Sequence, residues 1–134
     1  MDTKRYTADL DQLPKMLSWI RERLKSVQVK RGEIQKIELA VEEALVNIIN
    51  YAYDKRRGKI DLQCDNSGGN FMLTIKDWGS PFNPLDNIAP INRYTPLEER
   101  RIGGLGIALI YNLMDEVHYN RAENSNLLTL IRHL

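Results

Sequence analysis

Glu43, Asn47, Asp77 and the glycines at 103, 104 and 106 are the residues whose types and spacing could do chemistry. Glu43 and Asn47 lie four apart in a helical stretch, so a carboxylate and an amide emerge side by side. Such a pair at the edge of a core suits a hydrated hard cation or an activated water. The alternative is a polar stripe solvated between two neighbouring elements, and the helix alone leaves both open. Asp77 stands where an alternating strand runs into Trp78, Gly79, Ser80, Pro81 and Phe82. Glycine there permits close backbone approach or positive φ, and proline sets the exit direction. An acid followed by a glycine is also an ordinary turn. Gly103, Gly104, Leu105 and Gly106 open an apolar stretch, Ile107 to Met114. Free N–H groups and the positive end of the helix dipole make such a start an anion site, with phosphate the obvious guest. The pattern is neither the Walker loop nor the dinucleotide fingerprint, because the lysine is missing and the spacing differs.

These residues need elements to hold them. From Glu33 to Tyr53, apolar residues at 34, 37, 41, 44, 45, 48, 49 and 52 recur at helical steps. On the other face Lys36, Glu43, Asn47 and Asn50 fall in a strip roughly 60° wide, flanked by Leu39, Ala40, Val46 and Tyr51. So narrow a polar strip is expected to lie at least partly indoors, where polar groups need partners. Ahead of it, Lys4 to Leu10 alternates as a short edge strand. A helix then starts at Asp11, with Pro14 in its first turn and a stripe of Leu13, Met16, Leu17, Ile20 and Leu24. Lys59 to Asp65 and Phe71 to Asp77 alternate around a turn at 66–70, which predicts an antiparallel hairpin with one face on the core. Residues 83–102 show no period and hold Pro84, Pro90 and Pro96, as expected of a functional loop or lid. The stretch after the glycines is apolar all round and is expected to be a buried helix. Glu116 to Arg121 and Leu127 to Arg132 predict two more strands. The order β-α-α-β-β-lid-α-β-β predicts an α+β fold. It is a two-layer sandwich with a mixed, mostly antiparallel sheet and helices on one face.

At 134 residues the chain makes one domain, 1–134, with 43% apolar and 28% charged residues. A net charge of +1 gives no field toward nucleic acid or membrane. No apolar run approaches membrane-spanning length and the N-terminus lacks an apolar signal core, so a cytoplasmic location is the expectation. The single cysteine, Cys64, is expected to be a packed strand thiol. Neither His118 nor His133 has a second ligand at zinc spacing.

Glu43-Ala-Leu-Val-Asn47, Asp77-Trp-Gly79-Ser-Pro-Phe and Gly103-Gly-Leu-Gly106 resemble, in order, the N, G1 and G2 boxes of the Bergerat-type ATP-binding fold. From first strand to last the chain resembles the stand-alone anti-sigma factor serine kinases of bacteria. Pro96-Leu-Glu-Glu-Arg-Arg-Ile-Gly-Gly-Leu-Gly-Ile107 carries much of that likeness. The resemblance implies that Asn47 binds Mg²⁺ bridging the ATP phosphates, and that Glu43 is general base toward an acceptor hydroxyl. Asp77 would accept from the adenine amino group, with Gly79 making room for the base. Gly103, Gly104, Leu105 and Gly106 would wrap the phosphates, and Arg100 or Arg101 would approach the γ-phosphate from an ATP lid at about 80–103. It implies a serine/threonine kinase that phosphorylates an anti-sigma-factor antagonist and sequesters an RNA polymerase sigma factor, as a homodimer. The alternatives are a non-enzymatic ATP-binding switch or interaction module, and a slow ATP hydrolase or accessory module unrelated to sigma factors. The chain departs from the pattern at Pro81, where many relatives place a second glycine, and at Tyr51, where a histidine is common. Thr129 is the candidate for a threonine that often contacts adenine.

Overall fold

The computed structural model describes residues 1–53, 57–87 and 104–134. Its strands are β1 (Asp2–Thr7), β2 (Lys59–Asp65), β3 (Asn70–Asp77), β4 (Glu116–Ala122) and β5 (Ser125–His133). Its helices are α1 (Leu13–Lys25), α2 (Arg31–Asn47) and α3 (Gly104–Leu113). The strands form one sheet in the order β1-β2-β3-β5-β4. Every pairing among the described residues is antiparallel, where a mixed sheet was expected. Strand periodicity explains the layering. Ile60, Leu62 and Cys64 of β2, Phe71, Leu73 and Ile75 of β3, and Leu128 and Leu130 of β5 are buried at alternate positions. They meet Met16, Ile20 and Leu24 of α1, Ile37, Val41 and Leu45 of α2, and Ile107 and Ile110 of α3 in one core.

Several boundaries differ from expectation. β1 ends at Thr7, because Asp9 caps a 3-10 turn at Leu10–Gln12 by accepting from the Asp11 N–H at 3.0 Å. α1 therefore begins two residues later than predicted, at Leu13, with its apolar stripe buried as the spacing required. α2 does not continue as an α-helix to Tyr53. It changes at Ile48 into a π-helical turn, Ile48–Ala52. α3 is not buried all round, since Tyr111 and Asn112 are exposed and the core takes Ile107, Ile110 and Met114.

Arg132 joins three elements. Its Nη1 donates to the Leu113 carbonyl at 2.6 Å and its Nη2 to Glu33 at 2.5 Å, so β5 ties the end of α3 to the start of α2. A cation on the last carbonyls of a helix also suits its dipole. No helix among the described residues is long and apolar enough to cross a membrane. Cys64 is a packed strand thiol, and burial pushes its pKa up to about 12. Against an ordinary thiol near 8.5, its thiolate fraction at neutral pH is lower by on the order of 10³. Alkylation of Cys64 is accordingly expected to be slow in the native protein and to reach the rate of a free thiol in denaturant, as followed by mass spectrometry.

Candidate nucleotide site

α2 carries the site along its length. Asn47 is 7% exposed, and Glu43, one turn earlier, is half-buried. The Asn47 Nδ2 donates to Glu43 Oε1 at 3.3 Å, which turns the amide oxygen away from the carboxylate. Part of the polar strip is therefore indoors as expected. Lys36 and Asn50, by contrast, are exposed, and so are the shoulder residues Leu39 and Tyr51. Leu39 and Tyr51 nevertheless have neighbours, since Gly106 of α3 lies against the Leu39 carbonyl and the centroid of the Phe82 ring is 5.6 Å from that of Tyr51.

The start of α3 comes against Glu43. A Cβ on Gly106 would lie 2.3 Å from the Glu43 Cβ and 2.7 Å from its Cγ. Real Cβ atoms do not approach that closely, so a glycine at 106 is what lets the two helices touch there. Gly104 and Leu105 open the same helix, so its free N-terminal N–H groups belong to the turn that meets α2 at Glu43. Arg100, Arg101 and Gly103 lie outside the described residues, as does the 88–103 part of the expected lid.

At the far end of α2 the turn after β3 closes in. Ser80 N–H donates to the Ala52 carbonyl at 2.8 Å, satisfying a terminal carbonyl of the π turn. Gly79 lies so near that an added Cβ would be 2.5 Å from the Ala52 oxygen. Gly79 thus has a packing reason beside any reason of ligand space. Gly79→Ala is expected to destabilise by about 1–3 kcal/mol through overpacking, read as a lower denaturant midpoint. An unchanged midpoint would show that the turn yields freely.

Asp77 is 1% exposed. Its Oδ1 accepts from the Gly79 N–H at 2.9 Å and from Asn126 Nδ2 at 2.8 Å. Burial raises its pKa, while the Asn126 and Gly79 hydrogen bonds and the Arg121 charge pull the other way. Asn126 was not anticipated as a functional residue, because it reads as the end of a polar turn. It is the residue directly across from Asp77 in the β3–β5 pairing. Its amide is fully used: Nδ2 also donates to Ser80 O at 2.9 Å, and Oδ1 accepts from Phe82 N at 3.2 Å and Tyr119 OH at 2.5 Å. The signal was its position two residues before Leu128 and four before Leu130, on the inward parity of β5. Tyr53 was missed as well. Its OH donates to Lys59 O at 2.5 Å and accepts from Trp78 N at 2.8 Å. Thr129 falls on the opposite parity, paired with Thr74 on the sheet face away from the helices, so it does not face a pocket between the layers.

Glu43, Asn47 and the start of α3 thus form one end of the site, and Asp77 with Gly79 the other. From residue 43 to residue 52 a helix rises on the order of 13 Å, which is the scale of an extended nucleoside triphosphate.

Residues 6–132 match the model of the histidine kinase-like ATPase domain. The solved histidine kinase AdeS of Acinetobacter baumannii superposes over 99% of this chain and 68% of its own, with a TM-score of 0.54 at 16% identity, a likeness of fold. Sequence relatives are more specific. The serine-protein kinase RsbW of Staphylococcus epidermidis is 30% identical over 127 residues, 88% of this chain and 79% of the relative. Those of Bacillus licheniformis and Bacillus subtilis strain 168 are 29% and 28% identical, spanning 71% and 76% of those proteins and 78% and 87% of this one. The chain belongs to the serine-protein kinase branch of the histidine kinase-like ATPase domain family.

Proposed function

We propose that this protein binds ATP with Mg²⁺ and phosphorylates a serine or threonine of an anti-sigma-factor antagonist, and that it also holds an RNA polymerase sigma factor. The observation that carries the reading is the contact of Gly106 with Glu43 beside the Glu43–Asn47 hydrogen bond. It supports the reading because the first turn of α3 meets the Glu43 side chain, which in turn accepts from Asn47. Phosphoryl transfer asks chiefly for positioning and charge neutralisation, and a helix N-terminus, a carboxylate and an amide oxygen supply both.

The donor set fits the metal. Mg²⁺ favours oxygen ligands and keeps several waters, so one amide oxygen from the protein with phosphate oxygens is enough. Bound there, it would neutralise charge on the phosphates. Asn47 is the protein ligand. The first N–H groups of α3, with Gly103 preceding them, receive phosphate oxygens. Asp77 Oδ2 accepts from the adenine amino group, since Oδ1 is taken by Gly79 and Asn126. Glu43 takes the proton of the acceptor hydroxyl as its oxygen bonds to the γ-phosphorus and the bond to the leaving ADP oxygen breaks. Arg101 and the rest of the 80–103 lid complete the charge on closing. Two chains pair as a homodimer in the cytoplasm.

Calorimetry with ATP, with and without Mg²⁺, tests the nucleotide end of this reading. Wild type is expected to bind more tightly with Mg²⁺ than without, and Asn47→Ala to lose that difference. A wild type that binds no adenine nucleotide would remove the proposal altogether.

A further inference from the structure

A second cleft opens on the outer side of the turn after β3. It has a volume of about 460 Å³ and is lined by Tyr53, Arg57, Trp78 and Arg121 together with the Gly79–Pro81 backbone. Asp77 does not line it but Gly79 does, so the cleft adjoins the adenine end of the proposed nucleotide site across the turn after β3. The charged side chains that line it, Arg57 and Arg121, are both cations. Among the described residues neither Arg57 nor Arg121 makes an ion pair. Arg121 Nη1 donates to the Gly79 carbonyl at 2.8 Å, which holds the guanidinium at the cleft and leaves its other donors available.

Trp78 is 38% exposed, and two more cations flank its ring, Arg5 and Lys76, each 5.3 Å from the ring centroid. Arg5 is paired with Asp61, whereas Lys76 makes no ion pair among the described residues. An open tryptophan among Arg57, Lys76 and Arg121 is a local feature, because the chain as a whole carries only +1. Tryptophan and arginine are the side chains that anchor protein interfaces, and two lining arginines without ion pairs among the described residues suit a partner of the other sign.

We propose that this cleft docks an acidic segment of a protein partner, with its carboxylates against Arg57 and Arg121 and an apolar side chain on Trp78. Carboxylates spread along a peptide could meet the two arginines of the cleft and the Lys76 beside the ring. A lone small anion would engage the two arginines and ignore Lys76 and Trp78. The inference does not rest on phosphotransfer, and the Arg57 arm of its test changes no residue of the proposed nucleotide site.

The probe is a fluorescein-labelled synthetic peptide of glutamate and leucine, followed by polarisation. Saturable binding that weakens with added salt is expected. Arg57→Glu should weaken it by at least about tenfold, and Lys76→Glu and Trp78→Ala by about threefold or more each. ATP affinity should be unchanged in Arg57→Glu, which separates failure here from failure of the nucleotide reading. Circular dichroism checks that each variant folds, and Arg57→Gln replaces any charge reversal that does not. No saturable binding would overturn the proposal. So would displacement by inorganic phosphate with Lys76→Glu and Trp78→Ala silent, which would mark a small-anion site.

Discussion

Asp77→Asn is expected to bind ATP at least about a hundredfold more weakly than wild type, a loss of ~2.7 kcal/mol, while the fold survives. The two effects separate because the carboxylate oxygens have different partners. Oδ1 accepts from Gly79 N–H and Asn126 Nδ2, and an asparagine Oδ1 can accept both. The other position changes from an acceptor to an NH₂ group. In the proposed site it would meet the adenine amino group donor to donor, and a buried donor left without a partner is costly. The apo protein is expected to respond with the opposite sign. Burial raises the Asp77 pKa, so the fold favours the protonated acid. Its contribution to stability is present below the unfolded value, about 3.9, and is lost as pH rises through the folded value. Denaturant titrations should show Asp77→Asn gaining on wild type as pH rises from 3 toward neutrality. An Asp77→Asn protein that binds ATP normally would place adenine recognition elsewhere.

Glu43→Gln is expected to keep nucleotide affinity and to lose about 10²–10⁴-fold in the rate of phosphoryl transfer to the antagonist, the usual worth of a general base. Glutamine has nearly the same shape, and its Oε1 can still accept from Asn47 Nδ2, so the amide proposed to bind the metal stays oriented. It cannot take a proton. Single-turnover transfer with labelled ATP reads the chemical step apart from binding. Wild-type rates in Glu43→Gln would show that the carboxylate positions Asn47 and does no proton transfer. Loss of transfer with sigma-factor binding intact would separate the kinase from the ATP-dependent switch that the sequence left open.

Much of the scaffold was legible because it is periodic. The steps of three and four in α2 mark its buried face, and the alternation of Ile60, Leu62 and Cys64 against Phe71, Leu73 and Ile75 predicts the β2–β3 hairpin. The boundaries were less legible. The 3-10 turn at Leu10–Gln12 follows from one capping bond, and the π turn at Ile48–Ala52 leaves a carbonyl for Ser80, a residue of another element. Tyr51 and Leu39 were expected as apolar shoulders of an indoor strip and are exposed, because burial depends on what lies opposite and helical period does not record it.

The sequence by itself determined the layered α+β fold, the helix that carries Glu43 and Asn47, the strand that ends at Asp77 and the glycines that open α3. Each follows from residue type and short-range spacing, which local physics reads directly. Tertiary structure alone decided the partners. Asn126 holds Asp77 from 49 residues away because the β3–β5 register sets them opposite each other. Gly106 must lack a side chain because α3 crosses α2 at Glu43, and Gly79 because the turn after β3 closes onto Ala52. Register and helix crossing are set by the packing of the whole core, so no local window contains them.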